Sequence, residues 1–361
     1  MADTTLTEST RCSSPVRDLA NALRREIRNN RIFYVILFSW LSYTVIGSAL
    51  RQDGFMAELA EYLGRATRSA FILCCVAVAV TGIRVMVSRP ERPLMALGTA
   101  LAAFMPGRVL LRYAYGFFVF AIFMASFLHH KMRIPEIMPF AWDETFANWD
   151  QVLFGGYQAW ELLQPLFGHP WAILVLDYAY VGWVPGVFLF WSWMFASRTV
   201  PEPLRRQYWT ATVLSWVLLG IVMATVLSSV GPCFLPLFFP EQAAEYAALN
   251  ANLADLHERF GLASSLTKEH LLEVYRGLTT EPGGISAMPS MHNAQTMLFV
   301  LAGYSVSRRL GHLMVAYAVL IFIASIMLAW HYAVDGIIGM AGAALIWWCA
   351  GRLSRNRPVA A

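Results

Sequence analysis

Two histidines and an aspartate near the C-terminal end of this 361-residue chain are the residues whose types and spacing could do chemistry. His292 lies in Ala287-Met288-Pro289-Ser290-Met291-His292-Asn293-Ala294, and His331 and Asp335 lie in Trp330-His331-Tyr332-Ala333-Val334-Asp335-Gly336. A neutral imidazole can attack phosphorus and form a phosphohistidine. A second imidazole, protonated, can give its proton to the leaving oxygen and later take one from an acceptor. A carboxylate on the nucleophile's other ring nitrogen fixes the tautomer and stabilises the cation. Between the two stretches lie one apolar run, the basic pair Arg308-Arg309 and a second apolar run. Read as antiparallel helices, they climb roughly 26 Å from His292 to the turn and roughly 31 Å back to His331, so the histidines meet at one depth. Asp335 follows His331 by four residues, on the same face of a helix. Three polar residues that merely satisfy one another are the bland alternative. The shared depth favours function, because carboxylates inside membranes are seldom idle.

These stretches resemble the type 2 phosphatidic acid phosphatase superfamily, with its P-S-G-H-like motif and a second motif ending in H-x-x-x-D. Pro289-Ser290-Met291-His292 and His331-Tyr332-Ala333-Val334-Asp335 match the two, with Met291 in place of the usual glycine. The wording is most similar to the inositol phosphorylceramide synthase and sphingomyelin synthase branch. Ser325 stands where the phosphatases carry an arginine, as in that branch, and the K-x6-R-P motif is not present as written. The match covers about fifty residues and is specific only together with membrane placement. The resemblance implies that His331 is the nucleophile, Asp335 its orienting partner and His292 the acid/base.

The elements that position these residues follow from composition. Hydrophobic residues make up 58% of the chain and charged residues 14%, against about 25% in a soluble protein. Mean hydropathy is +0.51. Thirteen Trp and 23 Phe suit aromatic belts at a membrane interface. A net charge of +4 gives no footprint for nucleic acid, and the five scattered cysteines form no metal or disulfide framework. The expected fold is all-α: a polytopic helical bundle with amphipathic helices on its outer side. Eight spans are predicted, at about 32–50, 69–87, 110–129, 171–196, 208–229, 290–307, 312–330 and 333–350, each near the ~20 residues a bilayer needs. Residues 1–31 read as a polar cytoplasmic tail, 32–350 as one membrane-embedded domain and 351–361 as a second cytoplasmic tail. With the N-terminus inside, 19 of the 27 Lys/Arg fall on the inner side, Arg308-Arg309 among them. The histidines then face a periplasm or an equivalent non-cytoplasmic space, as in a bacterial inner membrane protein. Residues 94–107 are apolar but short, and predict an interfacial or re-entrant segment. The outer loop 51–68 is mixed in charge and partly helical.

Two outer cap regions are expected, at about 130–170 and 231–289. His129-His130-Lys131-Met132-Arg133 breaks the positive-inside trend. Lys131 and Arg133 could clamp a phosphate or anchor the span at the interface. Residues 142–150 predict an amphipathic helix that roofs the site or packs on lipid. Asp177 and Tyr180 lie near the outer end of the fourth span. Asp177 needs a partner in the bundle, and either a structural hydrogen bond or a headgroup hydroxyl would serve. Gly231–Pro236 is a candidate pocket wall. Helical periodicity at Glu241–Phe260 and Thr267–Leu278 predicts a lid or a plain connecting loop. Ser290 and the N–H groups opening its helix suit an anion.

The reading is a membrane enzyme that moves a phospho-headgroup, such as an inositol phosphate, between lipids, sphingolipids included by resemblance. Hydrolysis of a lipid phosphate, phosphatidic acid or an isoprenoid phosphate, is the alternative on the same triad. The chemistry calls for no cofactor and no metal. Two readings of other classes stay open: a metalloenzyme built on a two-histidine, one-carboxylate facial triad, and a transporter whose polar residues line a path.

Overall fold

The computed structural model describes residues 27–28, 30–104, 107–197, 199–279 and 281–355. Most of the expected cytoplasmic tails, 1–31 and 351–361, lies outside the described residues. The fold is all-α, with no strand among the described residues. The chain runs through α1 (Arg31–Arg51), α2 (Phe55–Val87), α3 (Pro93–Phe104), α4 (Gly107–Met132), α5 (Asp143–Leu153), α6 (Ala159–Phe167) and α7 (Pro170–Val181). It continues through α8 (Trp183–Ala196), α9 (Glu202–Val217), α10 (Ala247–Phe260), α11 (Ala263–Tyr275), α12 (Met291–Val306), α13 (Arg308–Met327) and α14 (Ala333–Arg355), with shorter turns left unlabelled.

Among the described residues, five helices are long and apolar enough to cross a membrane: α1, α2, α13, α14, and α9 taken on to Val226. The pair α7 and α8 makes a sixth if it is one span bent by 42°. The eight expected spans therefore become five or six by length and composition. The expected sixth span, α12, is 16 residues long, short of the ~20 that cross a bilayer. The expected outer loop 51–68 is also revised, because Phe55–Val87 is one continuous helix of 33 residues. At 1.5 Å per residue it is roughly 50 Å long, more than the ~30 Å hydrocarbon layer. The segment 94–107 overlaps the 12-residue α3 (Pro93–Phe104), which is too short to span.

Local sequence explains the breaks that matter for the site. Pro185 has no N–H, and its ring crowds the carbonyl four residues back at Val181, which places the bend between α7 and α8. Arg205, buried, binds the Met194, Ser197 and Val200 carbonyls and so closes the end of α8. α9 passes through a π-helical stretch at Leu218–Met223. The α12–α13 hairpin turns on Ser307, whose hydroxyl accepts from Leu310 N. Its arms meet so closely that a Cβ on Gly311 would lie 2.2 Å from the Tyr304 ring.

α12 packs against α13 and α14, and α14 packs against α9. Two hydrophobic clusters result. One fills the bundle with aromatic rings such as Phe120, Trp191, Trp209 and Phe299. The other gathers Phe146 of α5, Leu249 of α10, and Phe234, Tyr246 and Tyr332 from the connecting segments. Helix α5 belongs to this second cluster: Asp143, Phe146 and Asp150 are buried along one face. The expected amphipathic helix is present, and its inner face packs on protein rather than on lipid.

Candidate active site

Helix α12 starts where Ser290 stops being helical. The Ser290 hydroxyl accepts from Asn293 N at 3.5 Å and Asn293 Nδ2 at 3.1 Å, an ordinary N-cap. Its own N–H donates to the Asp335 carbonyl at 3.1 Å, which ties the start of α12 to the start of α14. His292, in the first turn, sits between two aromatic rings with centroids at 4.2 Å, Tyr180 stacked and Trp183 tilted. Tyr180 Oη lies 3.2 Å from His292 Nδ1. The bend after Val181 lets one run of chain supply both rings.

His331 is in the five-residue loop, 328–332, between α13 and α14. Its N–H and that of Trp330 both donate to the Ser325 carbonyl. Its Nδ1 lies 3.2 Å from Asp335 Oδ2, and Tyr332 N donates to the same oxygen at 3.1 Å. The two histidine rings are 6.0 Å apart between centroids, inclined at 60°. Burial, reinforced by the charge of Lys131, pushes the His331 imidazole down to about 3, and the Ala287 carbonyl works the other way. That shift favours the neutral form of the ring.

Both histidines, Tyr180 and Lys131 line one cavity of about 240 Å³. Val230 and Phe234, from the segment after α9, form part of its wall, as expected for that stretch. Gly231 is required there: its φ is +86°, and a Cβ would lie 2.6 Å from the Trp330 carbonyl oxygen. Ser264, Thr267 and Leu271 of α11 close another side.

The other candidates fall elsewhere. Arg133 does not line this cavity. It borders a second one of about 280 Å³, and it pairs with Asp53 at 2.7 Å and Glu136 at 3.5 Å. His129 pairs with Glu58 at 2.8 Å. Burial tends to raise the Asp53 carboxyl, but hydrogen bonds from Ser48 and Arg51 and the charges of His129 and Arg133 hold it at about 2. The burst of positive charge at the end of α4 is thus matched by acids at the α1–α2 end, and Lys131 is the cation of that group turned to the cavity. Asp177 makes the structural hydrogen bond: its carboxylate takes Ala263 N at 2.8 Å and Ser264 N at 2.9 Å and fixes the start of α11. Ser290 is fully buried as a cap and does not line the cavity.

Two residues were missed in the sequence. Asp143 accepts from Val230 N, Gly231 N and the Tyr332 hydroxyl. Asp150 accepts from Ala333 N at 2.7 Å and Val334 N at 2.9 Å. Their signal was there: two acids seven residues apart share a helix face with Phe146 between them. Burial raises both carboxyls, Asp150 to about 6, against the hydrogen bonds they accept.

Among the described residues, no group of three or more His, Cys, Asp and Glu is arranged to hold a metal ion. Asp335 turns its used oxygen to His331 and Tyr332 rather than converging with His292 on a common centre. The site can instead present a neutral imidazole, a second imidazole and an ammonium group to one bound anion. No curated protein and no solved structure matches the chain. The family model described as the PAP2 superfamily matches residues 144–349, more than half of the chain and the part that holds both histidines and Asp335, and the chain belongs to that superfamily.

Proposed function

We propose that the protein is a lipid phosphotransferase that works through a phosphohistidine on His331. Membership in the PAP2 superfamily supports a lipid enzyme of the phosphatase and phosphotransferase type. One observation carries the finer reading. Asp335 occupies Nδ1 of His331, which leaves Nε2 as the attacking nitrogen beside a cavity shared with His292 and Lys131. Nε2 forms the bond to phosphorus as the bond to the leaving oxygen breaks, and His292 gives that oxygen its proton. Lys131 balances the charge on the phosphoryl oxygens. An acceptor hydroxyl, deprotonated by His292, then takes the phosphoryl group and restores His331.

The cavity is smaller than the roughly 300–1,000 Å³ of common ligand sites. It suits one phospho-headgroup at a time, so donor and acceptor enter in turn. Ser325 in place of an arginine, and the P-S-M-H wording, favour the synthase branch and an inositol-phosphate-like headgroup. Hydrolysis is the same cycle with water as acceptor. The arginine pair at the α12–α13 turn, at the far end of both helices from the histidines, favours a site on the non-cytoplasmic face.

The test is turnover of a panel of labelled lipid phosphates and phospholipids, with and without ceramide, diacylglycerol and inositol. Label should be trapped on His331 in acid-labile, base-stable form, and His331→Ala should abolish turnover. His292→Ala should lose lipid substrates yet keep part of its activity on p-nitrophenyl esters, whose leaving group needs no proton. Full turnover in His331→Ala would end the assignment. Leaving-group rescue in His331→Ala and not in His292→Ala would reverse the two roles.

A further inference from the structure

Asp150 lies outside the cavity, yet it holds the segment on which the reaction depends. The first N–H groups of a helix have no partner within it. In α14 two of them belong to Ala333, fully buried, and Val334, nearly so, where water does not reach. The residue before them, Tyr332, has no side chain that can cap them. Asp150 supplies the missing acceptors from another helix, 183 residues earlier in the chain for Ala333, with one oxygen for each N–H. Its carboxylate is 1% exposed, so both oxygens are committed to these bonds. A carboxylate at this end also complements the helix dipole.

Both members of the proposed His331–Asp335 pair belong to the segment so held. His331 lies two residues before the capped N–H of Ala333, and Asp335 one residue after that of Val334. The 3.2 Å contact between them depends on the direction in which this turn leaves the loop. Asp143, on the same face of α5, takes the Tyr332 hydroxyl at 2.9 Å and anchors the same loop through a ring. We propose that Asp150 is a positioning residue for the His331–Asp335 pair, gripping the first turn of α14 from α5, with Asp143 as a second anchor through Tyr332. This rests on the reading of His331 as nucleophile.

A merely structural role and a positioning role separate in a rapid-quench experiment on the full chain in lipid nanodiscs with a labelled donor lipid. The amplitude of the phosphoenzyme burst counts competent sites, and its rate constant reports their geometry. Asp150→Ala should slow the burst at least tenfold per competent site, with the donor KM within twofold of wild type. Asp150→Asn, which keeps one acceptor oxygen, should recover part of that rate. Val152→Ala, on the same helix at a position 84% exposed, should change neither quantity. A lower amplitude with an unchanged rate constant in both Asp150 variants would overturn the proposal. If Asp150→Ala gives no burst because it does not fold, Asp150→Asn and Tyr332→Phe decide. Tyr332→Phe removes only the hydroxyl bond to Asp143. Slowing of at least threefold in both supports the grip from α5, and wild-type rates in both overturn it. A wild type that forms no phosphoenzyme at all would instead refute the phosphohistidine reading, and with it this inference.

Discussion

Asp335→Asn tests the His331–Asp335 pair most sharply, because only one carboxylate oxygen is in use. Oδ2 faces His331 Nδ1 at 3.2 Å and receives Tyr332 N at 3.1 Å, whereas Oδ1 has no hydrogen-bond partner and the residue is fully buried. An asparagine that places its amide oxygen at Oδ2 keeps both bonds, and so keeps the tautomer that frees Nε2. What it loses is the negative charge beside a ring that becomes cationic. A full charge pair at this spacing is worth about 5 kcal/mol at an effective dielectric constant of 20. With roughly half the charge developed at the transition state, the loss is about 2–3 kcal/mol, or roughly 30- to 150-fold in rate. Loss of the tautomer would cost far more, on the order of 10⁴-fold. The asparagine N–H₂ would sit buried and unpaired at the Oδ1 position, which costs stability by about 1–3 kcal/mol. The assay is the phosphoenzyme burst rate at a temperature where the variant is folded, with Tm measured alongside. A fall of 10⁴-fold or more would refute the single-oxygen geometry. A fall under about threefold would refute charge stabilisation by Asp335.

Three further outcomes are expected. Lys131→Ala should cost about 2–4 kcal/mol of transition-state stabilisation, as loss of an oxyanion partner does, whereas Arg133→Ala, already paired with Asp53 and Glu136, should leave kcat/KM within about twofold and lower Tm. Equal losses in the two variants would return both residues to one shared role. Burial raises the Asp150 carboxyl to about 6, and the charge of Asp335 pushes the same way. The stability this group contributes is fully present below about pH 4, the unfolded value, and lost as pH rises through 6. Wild type should gain about 2 kcal/mol relative to Asp150→Asn between pH 7 and pH 4.5, read from their Tm difference, and a flat difference would contradict this. A cysteine in place of Arg308 should be labelled only from the cytoplasmic side, and labelling from outside would move the active site to the other face.

The proximity of His292 and His331 was legible from the chain because it rests on local quantities. Helix rise is nearly constant, and an apolar out-and-back of similar lengths around Arg308-Arg309 returns the chain to its starting depth. Four residues between His331 and Asp335 set their shared face in the same local way. Asp177 needed a partner by the same reasoning, since a buried carboxylate cannot stand alone. Which partner it found was beyond the sequence: the N–H groups of Ala263 and Ser264, the latter 87 residues away. Lys131 and Arg133 are two residues apart and alike in charge, so no local rule separates them. The approach of α2 and the α1–α2 turn does so, by bringing Asp53 to Arg133 and leaving Lys131 to the cavity. The continuous run of α2 and the shortness of α12 likewise depend on where caps and neighbours end a helix, which hydropathy windows average away. The role of α5 was the least legible feature. Amphipathicity says that a helix has a face to bury, and it is equally satisfied by lipid or by protein. Only the packed structure decides that Asp143 and Asp150 meet backbone N–H groups that have no water to turn to, because hydrogen bonds between residues 87 to 184 positions apart leave no periodicity in either segment.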